Sequence, residues 1–211
     1  MPIQDPTEMD ETLDRVTAKL AKKDDYPPLF RAAFGSEEIT AEKLSLAVEN
    51  FLLTLTAYDS KFDRALRGQS TLDGDEQRGF ELFMTDYEPR TGQRGADCFH
   101  CHGGPLFSDH QFHNNGIASG DAGRFNVTRN EADRGKCVTP SLRNIARTAP
   151  YMHDWRFTTL KEAVAHYSSG VHRSATLDPN LAKHPEGGLQ LSAEDRRALA
   201  AFLRTLSDEA R

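Results

Sequence analysis

The sequence predicts a mainly α-helical fold with long loops. Three observations carry that expectation. Apolar residues recur at three- and four-residue steps in several segments. Capping signatures stand at the starts of those segments. Between them lie stretches rich in Gly, Asn, Asp and Ser that match neither a helix nor a strand.

The chain has 211 residues, 37% apolar and 27% charged, which fits one large folded domain with much irregular surface. Its formal net charge of −6, with no basic patch, argues against nucleic acid and fits a small cationic partner better. No run of about 18 apolar residues is present, so no membrane span is expected.

Residues 8–23 read as a charged amphipathic helix with Leu13, Val16 and Leu20 on one stripe. Tyr26-Pro27-Pro28 ends it and opens a short segment closed by Gly35-Ser36, because proline suits a first helical turn. Thr40 is the expected N-cap of the next helix, with Ile39 and Leu44 as a hydrophobic staple. Its stripe of Leu44, Ala47, Val48, Phe51, Leu52 and Leu55 reads as core. Phe62 and Leu66 extend the apolar set to Gly68. Asp73 with Glu76, Thr159 with Glu162, and Ser192 with Asp195 are three further capping signatures. The helices they open carry Gly79, Phe80 and Phe83; Ala163, Val164 and Tyr167; and Leu199, Phe202, Leu203 and Leu206. Gly103 to Lys136 reads as loop, Ser141–Ala146 as a helical turn, and Val171 to Leu191 as another polar loop. No internal repeat is visible. One domain is expected over 1–211, with 1–70 a helical extension packing on a 71–211 core.

The core is organised around Cys98-Phe99-His100-Cys101-His102, a C-x-x-C-H run. Two thiols three positions apart add across the vinyl groups of a porphyrin, and the adjacent imidazole falls beneath the iron. The pattern therefore predicts one covalent haem c held by Cys98 and Cys101, with His102 as proximal ligand. Helices before this run and at the C-terminus would cross at one haem edge, the minimal cytochrome c-like arrangement. A loop as long as Gly103–Lys136 has a reason to exist if it covers a haem face. A thioredoxin-like pair would need a strand before the cysteines, whereas the upstream pattern is helical. A zinc site recruiting Cys98, Cys101, His110 and His113 is chemically sound but leaves His102 without a use. Cys137 is left over, and no role is assigned to it. Covalent haem attachment takes place outside the cytoplasm, so a periplasmic location is expected. The polar start, Met1 to Pro6, holds no export signal, which is read as the mark of a mature or excised piece.

The identity of the second axial ligand sets the chemistry. Periodicity does not choose among Met152, His153, His166 and Tyr167. A resemblance does. Thr139 to Ile145, Thr148 to Asp154 and Thr159 to Tyr167 resemble the C-terminal haem domain of bacterial di-haem cytochrome c peroxidases and of the related methylamine-utilisation enzymes (MauG). Residues 2–9 and Tyr26 through Phe34 are similar to the region that follows the first haem domain there. The resemblance implies that Cys98, Cys101 and His102 belong to the second haem, and that Tyr167 is the distal ligand, with Met152 second. It also implies a Ca²⁺ ion held partly by the backbone carbonyls of Thr148 and Pro150. Where the family has Gly after His-Asp, this chain has Trp155, which serves as an electron relay or simply packs. Arg143 and Arg124 are candidate partners for haem propionates, since guanidinium pairs well with carboxylate.

The function implied is electron transfer by one haem domain of a di-haem oxidoreductase. The whole enzyme would reduce hydrogen peroxide, or oxidise a protein substrate through high-valent iron. Its partners would be a second haem domain or a small redox protein. One alternative is a mono-haem peroxidase whose own iron takes the peroxide; another is a zinc-binding interaction module.

Overall fold

A computed structural model describes residues 2–208. They form two compact units, one ending at Thr56 and one beginning at Ala57.

In the first unit, helix α1 (Leu13–Ala21) starts later than the sequence pattern suggests. Asp5 explains the delay. Its side chain accepts from the Thr7 amide at 2.8 Å and its carbonyl from the Asp10 amide at 2.9 Å, giving a local turn that competes with helix. Thr12 then caps α1 through the Arg15 amide. Helix α2 (Tyr26–Phe34) has proline in its first turn and closes on Gly35, whose φ of 79° is the left-handed conformation glycine adopts freely. Helix α3 (Ala41–Thr54) is capped by Thr40 as expected, with Ile39 buried. Its stripe, however, is not core. Val48, Phe51, Leu52 and Leu55 are exposed, and α3 has no buried residue. Periodicity tells which side of a helix is apolar, not whether the rest of a unit of this size is large enough to cover it.

The second unit holds the core. Helix α4 (Lys61–Leu66) opens with a reciprocal capping box between Ser60 and Asp63. Helices α5 (Gly74–Phe83) and α7 (Leu160–Ser169) open on the capping boxes expected at Asp73 and Thr159, and α9 (Ala193–Thr205) on the cap at Ser192. Helix α9 packs against both α5 and α7. Gly79 makes the α5–α9 crossing possible: a Cβ there would lie 2.1 Å from the Ala198 carbonyl oxygen. Around the crossing, Phe62, Phe80, Phe83, Phe107 and Phe202 meet mostly edge to face, the Phe83–Phe202 centroids 5.2 Å apart. Phe83 and Phe202 are almost wholly buried, and each such ring contributes roughly 2 kcal/mol by burial. The fold is the mainly α, cytochrome c-like one expected.

The loops contain short elements that the sequence pattern did not resolve. A small hairpin pairs β1 (Tyr87–Glu88) with β2 (Gln93–Arg94). Within Gly103–Lys136 lie β3 (Phe112–His113) and α6 (Phe125–Thr128). Strand β3 pairs antiparallel with β4 (Cys137–Val138), His113 opposite Cys137. Ile145–Arg147 is a single 3₁₀ turn, and α8 (Pro179–Ala182) interrupts the last loop.

Candidate haem-binding site

Cys98–His100 is a 3₁₀ turn entered from Asp97 in the left-handed conformation, φ 54°. The His102 amide closes it on the Cys98 carbonyl at 2.9 Å. Asp97 is nearly buried and anchors the entry: it accepts from the Tyr87 amide at 2.8 Å, from His184 Nε2 at 2.6 Å and from Lys183 Nζ at 3.0 Å. Burial alone would raise its carboxyl, but His184, Tyr87 and Lys183 outweigh that and hold it below the usual carboxylate range.

Burial pushes both thiols up, Cys98 and Cys101 each to about 12, so they remain protonated at neutral pH. His102 donates from Nδ1 to the Phe107 carbonyl at 2.9 Å. A carbonyl can only accept, so this bond fixes the tautomer and leaves the lone pair on Nε2. Burial also lowers the His102 pKa, keeping the ring neutral, as metal ligation requires. Two thiols, a neutral imidazole with its far nitrogen bonded to a carbonyl, and packing by Phe99, Leu142, Leu189 and Tyr167 are a donor set and an apolar lining that fit a covalent haem c.

The two distal candidates meet at one residue that sequence reasoning missed. Asn115 Nδ2 lies 3.4 Å from Tyr167 Oη and 3.4 Å from Met152 Sδ. Its carbonyl accepts from His166 Nε2 at 2.9 Å, which occupies the nitrogen of His166 that faces it. His153 turns instead to Ser119, 3.1 Å away. Burial pushes the Tyr167 phenol up to about 12, and the Asn115 amide opposes that rise. The sequence signal for Asn115 was its place before Gly116, whose φ of 74° marks a tight turn against Val171. Met152 and Trp155 both hold left-handed φ, 72° and 57°, costing on the order of 1 kcal/mol each. Trp155 itself is 72% exposed.

Other expected residues fall elsewhere. Arg143 forms a buried pair with Asp63, Nη1–Oδ2 2.8 Å and Nη2–Oδ1 3.0 Å, and also donates to the carbonyls of Pro105 and Ala57. Arg124 stacks over Phe112 at 3.9 Å and faces Asp133. Thr148 closes the 3₁₀ turn and Pro150 follows it. Of the zinc alternative, Cys101 and His113 come together with Asp109, their ligand atoms within 4.8 Å; Cys98 and His110 are not in that group. Cys137 is half-buried.

Fold and motif together define a cytochrome c-like haem domain. Comparison with known proteins narrows the class. A family model described as "Di-haem cytochrome c peroxidase" matches residues 1–71. The chain is 37% identical to the methylamine utilization protein MauG of Methylorubrum extorquens, over 99% of this chain and 57% of that protein. It is 36% identical to the cytochrome c551 peroxidase of Nitrosomonas europaea, over 77% of this chain and 48% of that one. Among solved structures, a MauG-like protein associated with microbial copper homeostasis superposes with a TM-score of 0.77 at 31% identity, covering 97% of this chain and 65% of that chain. The diheme peroxidase BthA of Burkholderia thailandensis shares the fold, TM-score 0.74 at 21% identity, covering 98% of this chain and 62% of that one. The chain belongs to the di-haem cytochrome c peroxidase and MauG family. It spans about half the length of the curated relatives it matches.

Proposed function

We propose that this chain is the electron-transfer haem domain of a di-haem peroxidase-like oxidoreductase. Cys98 and Cys101 would carry the porphyrin as thioethers and His102 would ligate its iron, with Tyr167 as first choice for the further ligand and Met152 as second choice. Bound there, the haem supplies a one-electron redox centre. The chain's own residues do the rest. His102 is aimed by its bond to Phe107, the aromatic cluster keeps water out, and Asn115 holds the phenol of Tyr167 in place. The whole enzyme reduces hydrogen peroxide or oxidises a protein substrate, in the periplasm. Among the described residues no helix is long and apolar enough to cross a membrane.

The observation that carries this reading is the His102 Nδ1 bond to Phe107 inside a C-x-x-C-H turn, with Tyr167 and Met152 both at Asn115. The exposed apolar face of α3 supports a second haem domain as the partner, since a stripe of that size is covered in a finished protein. Ca²⁺ held by the Thr148 and Pro150 carbonyls would bind tightly only when that domain supplies further oxygen ligands.

The test is the optical spectrum of the haem-loaded chain. A low-spin, six-coordinate spectrum unchanged by peroxide supports electron transfer. A high-spin spectrum that shifts with peroxide supports a catalytic haem instead, and a colourless zinc protein the third reading. Tyr167→Phe must alter the spectrum and Met152→Leu must leave it intact; the reverse result moves the ligand to Met152.

A further inference from the structure

His113 sits between two carboxylates. Its Nδ1 lies 2.6 Å from Asp178 Oδ2 and its Nε2 2.8 Å from Asp109 Oδ2. Each carboxylate is itself fixed. The second oxygen of Asp109 accepts from the Gln111 amide at 2.9 Å, and that of Asp178 from the Asn180 amide at 2.8 Å. A neutral imidazole has one N–H and one lone pair, so it would turn that lone pair toward a carboxylate oxygen. Only the imidazolium satisfies both bonds. Burial disfavours that charge, but the bonds to Asp178 and Asp109 outweigh it and raise the His113 pKa.

The cluster is tied to the haem turn. The Asp109 amide donates to the Cys101 carbonyl at 2.8 Å, and the ligand atoms of Cys101, Asp109 and His113 all lie within 4.8 Å of one another. Cys101 is where a thioether would join the porphyrin. The ionisable groups facing His113 are Asp109 on its own loop, Asp178 before α8, Cys101 and His102 on the turn, and Cys137 opposite it in the β3–β4 ladder.

We propose that His113 is a positioning residue that sets the charge beside the haem: a half-buried cation, held by Asp109 and Asp178, that raises the reduction potential of the centre attached at Cys101. The proposal rests on the haem reading above. With His113 charged, the three side chains sum to one negative charge; without it they sum to two. Each electron entering the iron adds negative charge in a site that water screens only in part, so a nearby cation favours the reduced state. No bond forms or breaks: one electron passes from an electrode, through a mediator, to the iron.

The experiment is potentiometry on the haem-loaded chain and two variants. His113→Gln keeps a bridging amide but deletes the cation, and the midpoint potential should fall. His113→Gln with Asp178→Asn restores the net charge, and the potential should return toward that of the parent. A role confined to packing would not be rescued by charge balance. An unchanged potential in the single variant, or no return in the double, overturns the proposal. Should His113→Gln fail to mature, Asp109→Asn deletes one negative charge and keeps the His113–Asp178 pair; its potential must rise, and no rise overturns the proposal. Colourless parent protein would instead refute the haem reading itself, so the two failures are distinguishable.

Discussion

The Cys98–His102 turn and the Asn115–Met152–Tyr167 cluster are built in opposite ways. The turn is local: five consecutive residues, closed by their own backbone and anchored from behind by Asp97. The cluster is assembled from three places, with Asn115 reaching a residue 37 positions away and another 52 away. A motif carried by adjacent residues survives any error in the rest of the fold. A constellation assembled across loops exists only if the loops are right, and here one amide reaches both candidate ligands. The lesson is that chemistry on one side of the site is encoded in spacing, and on the other in tertiary structure.

The largest effect should come from the local side. His102→Ala removes the nitrogen that the Phe107 carbonyl aims, and the haem-loaded protein should change from a low-spin to a high-spin spectrum while keeping both thioethers. An unaltered low-spin spectrum would show that another residue ligates on that side.

Next come supports of the fold around the site. Arg143→Ala leaves Asp63 as a buried carboxylate without its cation, which should cost about 3 kcal/mol by chemical denaturation. Burial pushes the Asp63 carboxyl up, but Arg143 and Ser60 outweigh it and hold its pKa below 3.8. The stabilisation is therefore present above about 3.8 and lost as pH falls through the folded value. The variant should show a smaller acid loss than the parent. Gly79→Ala should cost a similar amount, since a Cβ would press on the Ala198 carbonyl.

How much of this was legible beforehand follows the same division. The caps at Thr40, Asp73, Thr159 and Ser192 were readable because each is a hydrogen bond across three residues. The α5–α9 crossing was readable because both helices carry aromatic and leucine stripes. The Asp63–Arg143 pair was not, because its members stand 80 positions apart. Strand β3 was missed because two residues give no periodicity to read, and Asn115 with it. The exposure of α3 was missed for another reason: its stripe has the pattern of a core helix and lacks the surface to cover it.

A smaller effect should come from the assembled side. Asn115→Ala removes the amide from both Tyr167 and Met152, and should cost about 1 kcal/mol while broadening or shifting the haem spectrum. A spectrum identical to the parent would mean that the phenol needs no such support. Smallest is the pH dependence of His113. Its folded pKa is raised above 6.5, so its stabilisation is complete below 6.5 and lost as pH rises through the folded value. The stability gap between parent and His113→Gln should narrow over that window, and a gap constant from pH 5 to well above neutrality would contradict the imidazolium.

Mass spectrometry of the denatured chain, produced in a bacterial host that matures c-type cytochromes, tests the central claim most directly. The account predicts one haem's added mass surviving denaturation and mapping to the peptide that holds Cys98 and Cys101. An unmodified mass, with both thiols free to alkylate, would contradict it.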